Sequence, residues 1–138
     1  MQQTFTGGCL CGAVRYRCSD PTDAPTLCHC TSCRRGAGAH VVGCLTVPMD
    51  RFVFTVGAPQ RYASSSGVER TFCAACGTSL TYRTAARPAE IDVTLGSLDD
   101  PHAAAPADHV WLQDAPAWDR PGDGLPQHAA SRPPSAAP

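Results

Sequence analysis

Three clusters of cysteine place the strongest constraint on how this chain can fold. The sequence of 138 residues contains nine cysteines, and seven of them fall into short motifs. These motifs are Cys9-Leu10-Cys11, Cys28-His29-Cys30-Thr31-Ser32-Cys33 and Cys73-Ala74-Ala75-Cys76. Thiolates at such spacings are typical zinc ligands. The pattern therefore predicts a small fold built around metal sites.

The two outer cysteine pairs can close one tetrahedral site. Each pair lies in a glycine-containing turn between two segments of β character, within residues 4–17 and 68–83. A four-thiolate zinc leaves no position for a substrate and contributes folding energy, which a short β chain with a small core requires. We predict a structural zinc on Cys9, Cys11, Cys73 and Cys76. The alternative is a redox-active disulfide within the last pair.

The central cluster has three thiols, those of Cys28, Cys30 and Cys33. Three ligands leave one position of a tetrahedral zinc open, so this cluster predicts a catalytic zinc. Three thiolates give the complex a net negative charge. Such a zinc acidifies water less than one bound by three neutral histidines, and it is better suited to hold a substrate thiol as a thiolate.

Other residues near the central cluster leave alternatives open. A fourth protein ligand from His29, His40 or Cys44 would close the site, and the cluster could also be oxidised or empty of metal. His29 lies between two ligands, where side-chain alternation turns it away, so we expect it behind the ligands or in packing. Arg34 or Arg35 could bind a substrate carboxylate through two hydrogen bonds. The alternative for both arginines is charge balance for the anionic complex.

Most of the remaining chain has the pattern of short strands, which predicts a mainly β fold of small antiparallel sheets stapled by the four-cysteine zinc site. The further strands lie at about residues 40–47, 51–56, 60–62 and 91–98. A helical signal occurs at residues 99–105, ending before Pro106, and we expect only a turned exit from the central cluster at residues 36–38.

The end of the chain is rich in proline and alanine. We predict one zinc-binding domain over residues 1–127, with Trp111 and Trp118 anchoring an extended segment on it, followed by a disordered tail over residues 128–138.

The composition excludes several functions. All 11 basic residues are arginines, so no lysine is present for Schiff-base chemistry or a phosphate loop. The formal net charge of −1 gives no reason to expect nucleic acid. The first residues have no basic and apolar signal pattern, and no run of about 18 apolar residues is present. We therefore expect a cytoplasmic protein that does not enter membranes, and the sequence leaves the oligomeric state open.

Three motifs together resemble the glutathione-dependent formaldehyde-activating enzyme family, which also contains centromere protein V. They are Gly7-Gly8-Cys9-Leu10-Cys11-Gly12-Ala13-Val14-Arg15-Tyr16, Cys28-His29-Cys30-Thr31-Ser32-Cys33-Arg34 and Arg70-Thr71-Phe72-Cys73-Ala74-Ala75-Cys76-Gly77-Thr78. Weaker similarity extends to residues 62–65, 109–111, 118 and 124–126.

The resemblance implies a β-tent fold with two zinc ions per chain. It assigns a structural zinc to the outer cysteine pairs and a catalytic zinc to the central triplet, in agreement with the spacing. It also implies a carbon-sulfur lyase that condenses formaldehyde with glutathione to S-hydroxymethylglutathione. The sequence thus predicts an enzyme that adds a small thiol to a small aldehyde or reverses that addition. The alternatives are a zinc-stabilised binding or scaffold module without catalysis, and hydrolysis by zinc-bound water.

Overall fold

Ten β-strands form two sheets in residues 2–134, the part of the chain that this computed structural model describes. The strands are β1 (Thr4–Gly8), β2 (Arg15–Ser19), β3 (Thr26–Cys28), β4 (Val42–Pro48), β5 (Phe52–Val56), β6 (Gln60–Ser65), β7 (Val68–Phe72), β8 (Ser79–Thr84), β9 (Glu90–Thr94) and β10 (Asp108–Val110). The predicted mainly β fold is confirmed.

The two sheets differ in size. The smaller has the order β1-β2-β5, and the larger has the order β10-β3-β4-β9-β8-β7-β6. All strand pairs are antiparallel except β10 and β3, which run parallel. Parallel pairing requires a long connection, and β10 reaches β3 after the whole of the larger sheet has formed.

The core lies on one face of the larger sheet because its strands alternate. In β4, Leu45 and Val47 are fully buried, and in β9 Ile91 and Val93 are buried with them. They pack with residues of the smaller sheet, such as Tyr16. Successive side chains of a strand point to opposite faces. The intervening residues of these strands, which are mostly polar, therefore occupy the other face.

The central cysteine cluster lies on that other face. Cys28 ends β3 and pairs with Val42, and Cys44 follows Val42 on the same side of β4. Leu45, the next residue, points into the core. The fold therefore separates the core from the surface that carries the three-cysteine motif.

The helix that follows the central cluster differs from the sequence prediction of a turned exit. Helix α1 (Thr31–Ala37) has Cys30 as its N-cap, whose side chain accepts a hydrogen bond from the Cys33 amide. It ends at Gly38, which adopts the left-handed conformation at φ 65°. A seven-residue helix that contains glycine and buries no side chain has no apolar periodicity, so its residues show no helical pattern in the sequence.

The capped turn predicted within residues 99–105 is present. Only a short 3-10 helix forms at Pro101–Ala103, where Asp100 accepts a hydrogen bond from the His102 amide. The strand predicted at residues 91–98 ends at Thr94 and continues as a 3-10 helix, Leu95–Ser97. No helix of residues 2–134 has the length and apolar character needed to cross a bilayer.

Residues 128–132, which the sequence analysis assigned to a disordered tail, make defined contacts with the domain. The His128 amide donates to the His109 carbonyl at 2.9 Å, and the Trp111 amide donates to the Ala130 carbonyl at 3.0 Å. Arg132 binds the buried Asp108 with hydrogen bonds of 2.6 and 2.8 Å. This ion pair holds residues 128–132 against the domain, and the proline- and alanine-rich composition of the segment does not indicate it. Residues 135–138 of the predicted tail lie outside the described part of the chain.

Candidate metal centres

The outer cysteine pairs meet in one cluster although more than 60 residues separate them in sequence. The sulfur atoms of Cys9, Cys11, Cys73 and Cys76 all lie within 4.8 Å of one another. The Cys9 and Cys11 sulfurs are 3.6 Å apart, and those of Cys11 and Cys73 are 3.8 Å apart. A tetrahedral zinc with bonds of about 2.3 Å requires ligand sulfurs about 3.8 Å apart. The cluster therefore has dimensions that fit zinc.

The two turns that hold these cysteines supply hydrogen bonds to two of the four sulfurs. Gly12 and Gly77 follow the last cysteine of each pair with φ of 80° and 82°, so both turns curl in the same way. The Val14 amide donates to the Cys9 sulfur at 3.2 Å. The Thr78 hydroxyl, followed by backbone amides of Thr78 and Cys11, lowers the pKa of the Cys76 thiol to about 5. A thiol already disposed to lose its proton binds a metal ion more readily.

The central cluster brings three thiols together around the start of α1. The sulfur atoms of Cys28, Cys30 and Cys33 lie within 4.8 Å of one another. Cys28 is buried, while the other two are half-buried. The neighbouring thiols, and then the backbone amides of Cys33 and Ser32, lower the pKa of the Cys30 thiol. Sulfur donors at this spacing fit a metal ion that prefers thiolate ligands, such as zinc.

A fourth protein ligand does not join this cluster among residues 2–134. The group that could hold a metal has three members, and His29, His40 and Cys44 are not among them. His29 is 1% exposed and uses both ring nitrogens elsewhere. A tetrahedral ion held by these three sulfurs alone would have one position left for another ligand.

His29 belongs to a hydrogen-bonded chain of four side chains. Its Nδ1 lies 3.0 Å from Asp119 Oδ2, and its Nε2 lies 2.8 Å from His109 Nδ1. His109 Nε2 in turn lies 2.8 Å from Asp123 Oδ2. Both ring nitrogens of His29 thus bind side chains outside the cysteine cluster, which agrees with the expectation that His29 is not a ligand. Its partners escaped the sequence analysis because they are 80 residues or more away.

The arginines after the cluster differ in their surroundings. Arg35 is exposed, whereas Arg34 is half-buried. The Nε atom of Arg34 is buried without a hydrogen-bond partner among the described residues. A buried donor without a partner is costly, so this nitrogen is suited to an acceptor that arrives with a ligand. Arg34 is therefore the better candidate of the two arginines for binding a carboxylate of a ligand.

A third arginine, Arg70, also reaches this site. It lies in β7, and its guanidinium stacks on the Tyr82 ring at 4.9 Å while Nε donates to the Ser64 hydroxyl at 3.2 Å. An ideal Cβ built at Gly36 of α1 would lie 3.5 Å from Arg70 Nη1, which places the guanidinium beside this helix. The neighbouring thiols, which act in opposite directions, and burial together raise the pKa of the Cys33 thiol, and the positive charge of Arg70 opposes that rise. Arg70 has no carboxylate partner in the described residues. The sequence analysis did not place Arg70 at this site because β7 is distant from the cluster in sequence.

The two remaining cysteines and the outer histidines form no metal cluster within residues 2–134. Burial raises the pKa of the Cys18 thiol to about 11, which agrees with a buried free thiol. His102 is exposed. His128 is bound to the body of the protein, because its Nε2 lies 3.2 Å from the buried Asp108 carboxylate.

A mainly β domain with one cluster of four cysteines and one of three defines a class of small proteins that could hold metal ions at two sites. Within that class, the chain matches the family model described as glutathione-dependent formaldehyde-activating enzyme over residues 4–114. The chain belongs to this family.

Two known proteins show the extent of the similarity. An uncharacterised lyase of Schizosaccharomyces pombe is 34% identical over 80 residues, which is 56% of each chain. The present chain thus spans about half the length of that curated relative. A crystal structure of a Rhodobacter sphaeroides protein superimposes with a TM-score of 0.58 at 25% identity. The superposition covers 68% of this chain and 87% of the other.

Proposed function

We propose that this protein is an enzyme of the carbon-sulfur lyase type that joins a small thiol to a small aldehyde, or separates them. In the forward direction, a bond forms between the thiol sulfur and the carbonyl carbon, and the thiol proton ends on the carbonyl oxygen. The reverse reaction breaks that bond and releases the aldehyde. The observation that carries the proposal is a cluster of three cysteine sulfurs, joined by no fourth candidate ligand among residues 2–134, in a member of this family.

The two donor sets support a different role for each cluster. Cys9, Cys11, Cys73 and Cys76 would hold a structural zinc, and Cys28, Cys30 and Cys33 would hold a second zinc at the reaction site. When bound, the second ion supplies a position where a thiol loses its proton more easily and is fixed as a nucleophile. The closed four-thiolate set leaves no such position.

The chain's own arginines would orient the substrate. Arg34 presents a buried Nε without a partner, and Arg70 presents a guanidinium held in place by Tyr82 and Ser64. Guanidinium groups match the two oxygens of a carboxylate. They would therefore select a thiol that carries a carboxylate and hold it with its sulfur toward the cluster. Fixing the two reactants side by side contributes to the rate because it removes the entropy cost of their meeting.

Glutathione and formaldehyde are the thiol and aldehyde that we propose. Support comes from the family description and from the name of the S. pombe relative, a lyase. Glutathione has two carboxylates, which suits a site with two arginines that lack acidic partners in the described residues.

Two-dimensional exchange NMR of glutathione with formaldehyde tests the proposal. We expect the exchange between free and hydroxymethylated glutathione to be faster with the protein than without it, and the Cys30→Ser variant to lose this acceleration. An unchanged exchange rate with the intact protein would exclude glutathione as the thiol. X-ray absorption of the metal-loaded protein would then show whether added thiols enter either site. Four protein ligands at both sites would favour a binding module without catalysis.

A further inference from the structure

A segment that follows β10 contacts the central cysteine motif at two places and the chain just after α1 at a third. We call residues 111–123 the strap. The strap residue Asp114 accepts a hydrogen bond of 3.3 Å from the Thr31 amide, next to Cys30. The Trp118 ring packs on His40 with centroids 5.8 Å apart. The strap therefore touches the chain on both sides of α1.

The third contact lies between two candidate ligands. Asp119 binds His29 at 3.0 Å, and His29 separates Cys28 from Cys30. The backbone of His29 is fixed as well, because its amide donates to the Val110 carbonyl at 3.0 Å. With the backbone and the ring held, the directions of the flanking thiols are constrained.

The strap also holds the far end of the histidine pair. Asp123 binds His109 Nε2 at 2.8 Å, so strap carboxylates lie at both ends of the chain of four groups. The side chains of His29 and His109 are 1% and 4% exposed. Buried ring nitrogens require partners, so each carboxylate fixes the orientation of the ring that it binds.

The backbone at the start of the strap adopts an uncommon conformation. Trp111 has φ of 59°, in the left-handed region that bulky residues rarely occupy. Its amide is bound to the Ala130 carbonyl at 3.0 Å. Such a conformation persists only where surrounding contacts determine it. Here it turns the chain from β10 toward the cysteine motif.

We propose that the strap positions the central cysteine cluster for metal binding. Asp119 and Asp123 act as positioning residues: through His29 and His109 they hold the backbone that presents Cys28 and Cys30. The family match ends at residue 114, so Trp118, Asp119 and Asp123 lie beyond it. The inference rests on the metal site of the proposed function but not on its reaction.

Cobalt binding to the full-length chain tests this role. Cobalt replaces zinc in thiolate sites and gives charge-transfer absorption bands. The Cys30→Ser variant shows the bands of the four-cysteine site alone. The difference between these bands and those of the intact protein reports the central cluster. We expect Asp119→Ala to weaken cobalt binding at the central cluster by about 10- to 100-fold. The four-cysteine site should keep its affinity. Asp119→Asn should restore part of the binding, because the amide oxygen can accept from His29 Nδ1–H.

Two further variants keep the test decisive. Asp123→Ala acts at the exposed end of the chain, where the carboxylate is 42% exposed, and should also weaken the central site even if Asp119→Ala fails to fold. Asp99→Ala is the control, because it removes a carboxylate that pairs with Arg15 on the smaller sheet. The proposal is overturned if Asp123→Ala binds cobalt as intact protein does, or if it weakens both sites equally. If the intact chain binds only one cobalt ion, the second metal site of the proposed function is contradicted. This inference, which rests on that site, is then contradicted as well.

Discussion

The Leu10 amide in the first cysteine turn donates a hydrogen bond of 3.0 Å to the Thr78 hydroxyl in the second. The same hydroxyl lies 3.3 Å from the Cys76 sulfur. Because the amide supplies the hydrogen of the first bond, the hydroxyl hydrogen is free for the sulfur. Thr78 therefore links the two halves of the four-cysteine cluster independently of any metal ion.

Replacing Thr78 by valine should destabilise the metal-loaded protein. Thr78→Val keeps the volume but removes both hydrogen bonds, which should lower the free energy of unfolding by about 1–3 kcal/mol. Denaturant unfolding at fixed zinc concentration measures the change. Thr55→Val, at an exposed position of β5, is the matched control and should have little effect. Equal stability of the two variants would mean that Thr78 does not join the turns.

Single cysteine replacements should separate the two clusters. Cys73→Ser removes a thiolate from the site that ties both ends of the fold together. Since structural zinc contributes on the order of 10 kcal/mol, we expect unfolded or insoluble protein. Cys30→Ser should stay folded and lose one zinc per chain. Circular dichroism and metal analysis measure both outcomes. If Cys30→Ser unfolds the chain while Cys73→Ser stays folded with one zinc, our assignment of the two sites is reversed.

Replacing Arg70 by glutamine should weaken the binding of a carboxylate-bearing thiol. Loss of a hydrogen bond between charged groups costs about 1.5–3 kcal/mol, so KM for the thiol should rise by about 10- to 100-fold. A thiol without a carboxylate should be used equally by both proteins. Arg83→Gln, in the neighbouring strand β8, is the control. A similar rise in KM for both thiols would show that Arg70 supports the fold and not the substrate.

The pair between Arg132 and Asp108 should make stability depend on acidity. Arg132, followed by the Thr26 hydroxyl, lowers the pKa of Asp108 to about 2. Because this pKa lies below the ordinary value of about 3.8, ionised Asp108 stabilises the folded chain above about pH 4. That contribution is lost as the pH falls toward 2.

Arg132→Gln should therefore move acid unfolding to higher pH and reduce stability at neutral pH by about 1–3 kcal/mol. Far-ultraviolet circular dichroism during acid titration measures the shift. Arg120→Gln is the control, since within residues 2–134 the Arg120 side chain binds only the nearby Ala117 carbonyl. Identical titration curves for the two variants would show that the last residues do not stabilise the fold.

The sequence by itself determined the β character of the chain and the grouping of its cysteines. Alternating residues such as those of β9 show which face is buried, and glycines beside cysteine pairs show where the backbone curls. These signals are local, because both depend on neighbours within a few residues. The expectation that His29 points away from the central cluster follows from the same kind of local argument.

Tertiary structure alone decided which distant groups meet. The bond between Arg132 and Asp108, the partners of His29 and the approach of Arg70 to the central cluster join residues far apart in sequence. Such contacts cannot be predicted from the periodicity of the sequence. Each depends on the order of the strands in the sheet and on how residues 126–132 return along β10. Helix α1 was hidden for a related reason: it is held by a cysteine cap and a left-handed glycine, and no apolar face of its own identifies it.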